Sequence, residues 1–357
     1  MTKYSFDRLH QFAVNLFMKI GCPIEQAIEA ANVLLSADLR GVDSHGVARL
    51  VGYLRLYEKN RINSKPQISV VHETPSTAVV DGDAGLGLVA GPYAMRLAIE
   101  KAKNVGTGWI AVKNSNHYGI AGYHAMMALE ADCIGISMTN ASPLVAPTYS
   151  KERLLGTNPI AVAVPAENEP PFVADMATTT AANGKLEILQ RKNESAPLGW
   201  LQDKEGQSTQ AAQGIVEGGA LLPLGGDREH GSHKGYILGS IVDILSAVLS
   251  GANFGPWVPP FVSFLDPDPN PVGVGIGHFF GALRIDAFRP ASEFKTHMDI
   301  WIKRFRNATT INETNKVIIP GDPERRMDQL RRKEGIPLLD TVVKDLQSLS
   351  EQYQVKF

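Results

Sequence analysis

Cysteine is almost missing from this chain: 357 residues carry two, Cys22 and Cys133. They stand far apart and neither belongs to a C-x-x-C pair, which argues against a disulfide scaffold and a zinc ribbon. A reducing compartment, the cytoplasm, is the expectation. An excess of either charge is missing too, with 35 Lys and Arg against 37 Asp and Glu, a net charge of −2. A nucleic-acid binder usually shows a basic stripe. The richest basic stretch here, Arg325, Arg326, Arg331, Arg332 and Lys333, is interleaved with acids and reads as a solvated helix face. Long apolar runs are absent as well. Gly235 to Ala252 is the longest, but it contains Asp243 with several Ser and Gly, so it reads as a buried helix and not a membrane span. The opening MTKYSFDRLHQF is charged and has no apolar core, so no signal peptide is expected. Neither an internal repeat nor a low-complexity tract stands out, and the length suits two modest domains or one large split one.

What is present is a change of period along the chain. Phe12, Leu16 and Ile20 step by four, and Pro23 restarts a second helix with Ala27, Ala30, Ala31 and Leu34 on one face. A third helix is expected to open at Asp43-Ser44 and run to about Asn60, with Val47, Leu50, Val51 and Leu54 as its buried stripe. From Thr77 the pattern becomes short apolar runs separated by Gly, Asn and Pro. Ala78–Val80, Trp109–Val112, Ile134–Met138 and Ile160–Val164 read as strands. Tyr93 to Lys103 and Tyr123 to Glu130 read as helices between them, Pro256 to Pro271 as a loop, and the last 60 residues as helical again. The fold class is α/β, mixed, with helical N- and C-terminal parts around a strand-rich centre.

One nucleotide motif fails. Gly85-Leu-Gly87-Leu-Val-Ala90 fits G-x-G-x-x-A, but Asp81-Gly82-Asp83 before it looks like a turn. The acidic residue expected about 20 positions on is replaced by Gly106, Thr107 and Gly108. The glycines read as a tight turn before a helix, so a dinucleotide would need a scaffold other than the Rossmann fold.

Four segments could carry chemistry. In Asp38-Leu-Arg-Gly-Val-Asp-Ser-His-Gly-Val-Ala-Arg49, Ser44 is a candidate N-cap, and His45, Arg49 and Tyr53 share a face at i, i+4 and i+8. A guanidinium clamps a carboxylate in bidentate fashion, and an imidazole exchanges a proton with a hydroxyl. A helix start would also disfavour imidazolium at His45. The alternative is a capped surface helix with an unrelated histidine. In Asn114-Ser-Asn-His-Tyr-Gly119, His117 follows a strand, where α/β sites collect. His117 and His124 are seven apart, but no third ligand has a fitting spacing, so no metal is expected. A Ser44-His45 hydrolase is disfavoured, because adjacent residues on a helix diverge and no G-x-S-x-G elbow is present. The polar turns Asn140-Ala-Ser142-Pro143, Gly156-Thr157-Asn158-Pro159 and Asp175-Met-Ala-Thr178-Thr179-Thr180 each follow an apolar run. Hydroxyls and free amides at a helix start after Met176 would suit a pyrophosphate, although such turns are also ordinary loops. In Gly231-Ser-His-Lys234-Gly235-Tyr236, a lysine at a helix start hints at an anion partner.

Taken together, DLRGVDSHGVARL, DGDAGLGLVAG, NSNHYG, NASPLVAPT, GTNPIAVAVPA, DMATTTAANGK, GSHKGY and PGDPE, in this order over residues 38 to 324, resemble the type-2 malate/L-lactate dehydrogenase family. The resemblance implies a non-Rossmann NAD(P)-binding fold. It implies a helical substrate and dimerisation domain, residues 1–118 with 299–357, and a cofactor-binding domain, 119–298. It implies a homodimer with the active site near the subunit interface, and a hydride passed between NAD(P) and a small 2-hydroxy or 2-oxo acid such as malate or lactate. Ureidoglycolate and reductions of cyclic imino acids or diketo sugar acids are the alternatives; a cofactor-binding dimer without turnover is disfavoured by the presence of both histidines. Proton transfer falls to His45 or His117, and the substrate side to Ser44 and Arg49. Ser142, Asp175, Met176, Ala177 and Lys234 fall to the cofactor, joined by Asn158 and Thr178 from the polar turns, with Gly321 and Asp322 nearer its adenosine end. Asp322 favours NAD, with NADP as the alternative. One departure is Asn183, where many relatives carry Arg.

Overall fold

The structure, a computed structural model, describes residues 2–312 and 314–357, the side chain of Arg191 excepted. Strand β1 (Thr2–Tyr4) leads into α1 (Phe6–Lys19), which begins where the Ser5 hydroxyl accepts the Arg8 amide, and α2 (Ile24–Leu39), which begins at Pro23. The period-four residues Phe12 and Leu16 and the Ala27, Ala30, Ala31, Leu34 face are fully buried between the two helices and α3 (Leu50–Glu58). A strand-rich centre follows: β2 (Ser69–Glu73), β3 (Thr77–Asp81), α4 (Gly87–Val105), β4 (Thr107–Ser115), α5 (Ala121–Met126), β5 (Cys133–Thr139), β6 (Ile160–Val164) and β7 (Phe172–Met176). Then come α6 (Asn183–Lys192), a small sheet of β8 (Leu201–Gln202), β9 (Ser208–Thr209) and β10 (Ala220–Leu221), α7 (Ser232–Asp243) and β11 (Ile276–Arg284). The chain closes with α8 (Ala291–Arg306), α9 (Asp322–Glu334), β12 (Ile336–Leu338), which pairs with β1, and α10 (Asp340–Tyr353).

The main sheet has the order β2-β3-β4-β11-β5-β6-β7. Only β3 and β4 run parallel; β11 inserts antiparallel to both β4 and β5. This is not the parallel sheet of a Rossmann fold, and the turn at Gly85 has another purpose. A Cβ at Gly87 would overlap the Asn116 carbonyl, so the glycine lets the start of α4 lie against the loop after β4. The registers Ser115↔Ile276, Thr139↔His278, Met138↔Ile160 and Ile160↔Met176 put the C-terminal ends of β4, β5 and β7 at one end of the sheet. The loops carrying His117, Ser142 and Met176 therefore leave together.

Three expectations are corrected. The segment from Asp43 does not open a long helix. It forms two 3-10 turns, Asp43–His45 and Val47–Arg49, and α3 starts only at Leu50. The buried Asp38 carboxylate takes the Val47 amide at 2.8 Å, and a Cβ at Gly46 would overlap that carboxylate, so the chain is drawn onto the end of α2 instead of winding regularly. Ser44 caps no helix, His45 has no helix start beneath it, and Val51 is exposed. Secondly, the apolar run after Gly235 is buried on one side only. It passes from α7 into a π-helical turn, Ile244–Val248, and exposes Ile237 (53%), Ile241, Ile244 (53%) and Val248 in one stripe. Thirdly, the basic C-terminal run is not all solvated, since Arg331 is buried against Asp43 and the Asp38 carbonyl. Among the described residues no helix is long and apolar enough to cross a membrane.

Candidate active site

The loop after β4 is held before it is used. Asn116 Nδ2 donates to the Ala84 and Gly85 carbonyls at 2.9 and 3.0 Å, which fixes the backbone carrying His117. The His117 ring stacks beside His45, with centroids 5.6 Å apart at 26°. Tyr53, from α3, brings its hydroxyl to within 2.6 Å of His117 Nδ1. Phe261, from the Pro-rich loop, lies 4.6 Å from the His117 ring and 5.2 Å from that of Tyr53. The Arg49 guanidinium stands 5.9 Å over the same phenyl ring, and Ser44 Oγ is 2.9 Å from His45 Nδ1. So His45, Arg49 and Tyr53 do converge, although the regular helix that suggested it is absent.

Burial dominates the electrostatics. It pushes the His45 pKa down to about 3, with Arg49 adding to the effect. His117 is lowered well below the usual histidine range by burial first, then by His45, Arg49 and His278. Both rings are neutral at pH 7. The helix dipole invoked for His45 is not the cause.

A cleft of about 610 Å³ opens on the Ser44, Arg49 and Phe261 side of this group, lined also by Arg55, Asn183 and Glu187 but by neither histidine. The start of α6 closes one side, with Gly184 against Ser44 and Arg49. Arg49 pairs with Glu187 at 3.4 Å, and Glu187 accepts from Asn183 Nδ2 at 2.8 Å. Asn183, the departure noted in the sequence, is buried and its Oδ1 has no partner. The chemistry available is a guanidinium for a small anion beside two neutral imidazoles able to donate or accept a proton.

Ser142, Asp175 and Met176 lie along the same end of the sheet, whereas Gly321 and Asp322 lie by the start of β7. Ser142 Oγ accepts the Phe261 amide at 2.8 Å, tying the loop after β5 to the histidine cluster. Asp175 closes β7 and accepts the Gly122 amide at 2.7 Å. One side of it is open to solvent, but the protein crowding its carboxylate raises its pKa to about 6 against the opposing pull of Gly122 and Arg40. Met176 is exposed. Asn158 and Thr178 are both buried: Asn158 Nδ2 donates to the Gly239 carbonyl while its Oδ1 has no hydrogen-bond partner among the described residues, and the Thr178 hydroxyl donates to the Thr157 and Asn158 carbonyls. The helix expected just after Met176 begins only at Asn183, so the threonine hydroxyls are not at its start. Gly239 packs on Thr178 and Gly235 on Leu224, which brings α7 onto this wall. The first turn of α7 has no side-chain cap, and Lys234 on it is exposed without an ion-pair partner among the described residues. The Ser232 and Lys234 amides are taken by the Asp227 and Gly231 carbonyls, so it is the exposed lysine at a helix start that fits a pyrophosphate, and a strand-end carboxylate beside an exposed methionine that fits a ribose and a flat ring. The donor set thus suits a nicotinamide dinucleotide. Gly321 begins α9 and packs against Val173 of β7, while Asp322 is paired with Arg306 and Arg325.

Phe261 and Glu187 were not foreseen. Phe261 was hidden in a stretch legible only as loop, and Glu187 looked like any acid on a helix face. His124, weighed as a partner of His117, is turned instead onto the Tyr118 carbonyl.

Fold and site together define an oxidoreductase acting on the CH–OH group of its substrate with a nicotinamide cofactor. Residues 4–347 match the family model described as malate/L-lactate dehydrogenase. The chain is 44% identical over 351 residues to the malate dehydrogenase of Pyrococcus abyssi, covering 98% of this chain and 94% of that one. It is 38% identical to the L-sulfolactate dehydrogenase of Methanocaldococcus jannaschii, over 95% and 94% of the two chains. The solved malate dehydrogenase of Pyrococcus horikoshii superposes with a TM-score of 0.90 at 41% identity, over 99% and 96%. This chain belongs to the malate/L-lactate dehydrogenase family.

Proposed function

We propose that the enzyme interconverts a small 2-hydroxy acid, malate first among the candidates, with its 2-oxo acid, and that NAD is the preferred cofactor. The observation that carries this is the His45–His117 pair, 5.6 Å apart and within the field of the Arg49 guanidinium, which lines the cleft. In this reading Arg49 exchanges Glu187 for the substrate carboxylate, which it holds in bidentate fashion. Ser44 lines the same spot. The substrate oxygen lies between the histidines, His45 accepting the hydroxyl proton and His117 holding the oxygen as it becomes a carbonyl. The nicotinamide ring, when bound, supplies the hydride acceptor. Ser142, Asp175, Met176, Ala177 and Lys234 would hold the dinucleotide, with Gly321 and Asp322 toward its adenosine. The helical part, 1–118 with 299–357, serves substrate and dimerisation, and 119–298 the cofactor.

Preference for NAD is supported by the state of the basic residues near Asp322. Arg306 is engaged by Glu169 and Asp322, and Arg325 by Asp322 and the Pro171 carbonyl, so neither stands free for a 2′-phosphate; Arg326, exposed and bonded only through Nε to the Asp322 carbonyl, is the residue that would favour NADP instead. A homodimer is supported by the exposed stripe of Ile237, Ile241, Ile244 and Val248, an apolar surface of the kind that partners cover. Two buried, unpaired cysteines are in keeping with the cytoplasm.

The test is a panel of 2-oxo acids and cyclic imines, followed by the loss of NADH or NADPH absorbance. Turnover of oxaloacetate with NADH is expected. Turnover of cyclic imines alone would overturn the substrate reading, and equal or better kcat/KM with NADPH the cofactor reading. Light scattering should give twice the chain mass of 38.7 kDa.

A further inference from the structure

We infer that Tyr53 is a positioning residue that locks His117 as the Nε2–H tautomer, making His117 the hydrogen-bond donor to the substrate oxygen and leaving His45 to carry the proton. The inference rests on the placement of both histidines at the reacting oxygen proposed above, and adds the reason why they divide the work.

The geometry is directional. Tyr53 is fully buried, wedged edge-on between Phe17 at 6.3 Å and Phe261 at 5.2 Å, so its hydroxyl has one direction to point. It points at His117 Nδ1, 2.6 Å away, and makes no other hydrogen bond among the described residues. The Gly119 amide, which can only donate, is also aimed at His117 Nδ1, at 3.4 Å. The amide has no lone pair to offer, so its approach makes Nδ1 the acceptor, and the phenol, with no other hydrogen-bond partner among the described residues, directs its hydrogen to the same atom. Burial keeps the phenol protonated, so Tyr53 remains a donor throughout the neutral range. A neutral imidazole accepting at Nδ1 carries its hydrogen on Nε2. That nitrogen can donate to a carbonyl or alkoxide oxygen but has no lone pair for the hydroxyl proton.

His45 is arranged differently. Its Nδ1 meets the Ser44 hydroxyl at 2.9 Å, a group that can donate or accept and so imposes no tautomer. With Ser44 donating, Nδ1 is the acceptor; with Ser44 accepting, Nε2 is bare and can take the proton. The proton balance closes within the pair of rings: the substrate O–H bond breaks toward His45, the hydride leaves from carbon to the nicotinamide, and the oxygen becomes a carbonyl held by His117 Nε2–H. In the reverse direction His45 returns the proton to oxygen.

The direct experiment is ¹⁵N spectroscopy of the histidine-labelled wild-type enzyme near pH 7, with the His117 signals identified by their loss in His117→Gln. The expected result is a protonated Nε2 and an unprotonated Nδ1. A proton on Nδ1 would overturn the inference. Tyr53→Phe keeps the ring in the core and removes only the donor. It should give His117 mixed tautomers and lower kcat by roughly 10- to 100-fold while leaving the KM for the 2-oxo acid within about twofold, the pattern of a lost orienting bond. An unchanged tautomer together with unchanged kcat would also overturn it. Should Tyr53→Phe fail to fold, the wild-type spectrum decides alone. Should the wild type turn over no 2-oxo acid, the proposed function fails, and the tautomer is still read.

Discussion

Arg49 and His45 are legible as residues because a guanidinium and an imidazole one turn apart have few common uses, and His117 because it follows a strand in a second short polar segment. Their partners were not legible. Arg49 pairs with Glu187, 138 positions away. A lysine at position 49 would keep the charge but lose the planar fork, so Arg49→Lys should lower kcat/KM by roughly 10²-fold, mainly through KM. Steady-state kinetics on the preferred acid checks this, and an unchanged kcat/KM for every accepted acid would remove Arg49 from the site. The histidines separate in the same assay. His45→Gln should lose on the order of 10²–10⁴ in kcat while NADH binding, followed by fluorescence, persists. His117→Gln should lose less, since a glutamine amide can still donate to the oxygen. Near-normal kcat in His45→Gln with collapse in His117→Gln would reverse the roles.

Elements were read best where the pattern is local. β6 matches the expected Ile160–Val164 run, and α2 starts at Pro23 as the sequence suggested. The segment from Asp43 to Arg49 defeated the reading because a long-range group, the Asp38 carboxylate under Gly46, outcompetes the helical period there. The same holds for the G-x-G-x-x-A stretch, where Gly87 serves the contact between α4 and the His117 loop and Gly85 a turn against Pro66. Gly87→Ala should therefore push against the Asn116 backbone, destabilise the fold by about 1–3 kcal/mol and displace His117. Thermal melting together with kcat tests this. A variant with normal melting and normal kcat would mean that the contact between α4 and the loop is slack.

Across the whole molecule the buried titratable groups set a pH for maximal stability. His45, His124 and His278 are lowered from 6.5 to about 3, 4 and 3 by burial, and His117 is lowered with them. The unfolded chain binds these protons first, so stability falls as pH drops below about 6.5. Asp38 and Asp175 act in the opposite sense. Burial raises them from 3.8 to about 8 and about 6, so their contribution is present at low pH and is lost as pH rises through that range. Up to about pH 7 the four histidines, which the unfolded chain still partly protonates there, outweigh Asp38 and Asp175, and above it Asp38 dominates, which places the maximum near pH 7. Asp38→Asn retains an acceptor for the Val47 amide and should flatten the decline of Tm between about pH 7 and 8. A decline of the same slope in the variant would assign that limb to other groups.

From the sequence alone come the helical ends around a strand-rich core, the failure of the Rossmann motif and the enzyme class. Helix periods, caps and motif order are written within a few neighbouring positions, where sterics and backbone hydrogen bonds act directly. Tertiary contacts place β11 between β4 and β5, bring Phe261 and Glu187 to the site, bury Asn158 and Thr178 in the wall, and leave one face of α7 open. Those outcomes depend on which distant strands pair and which faces they bury. Tyr53 and His117 meet across 64 positions because the end of β4 is carried onto α3, and no local pattern in either segment encodes that approach.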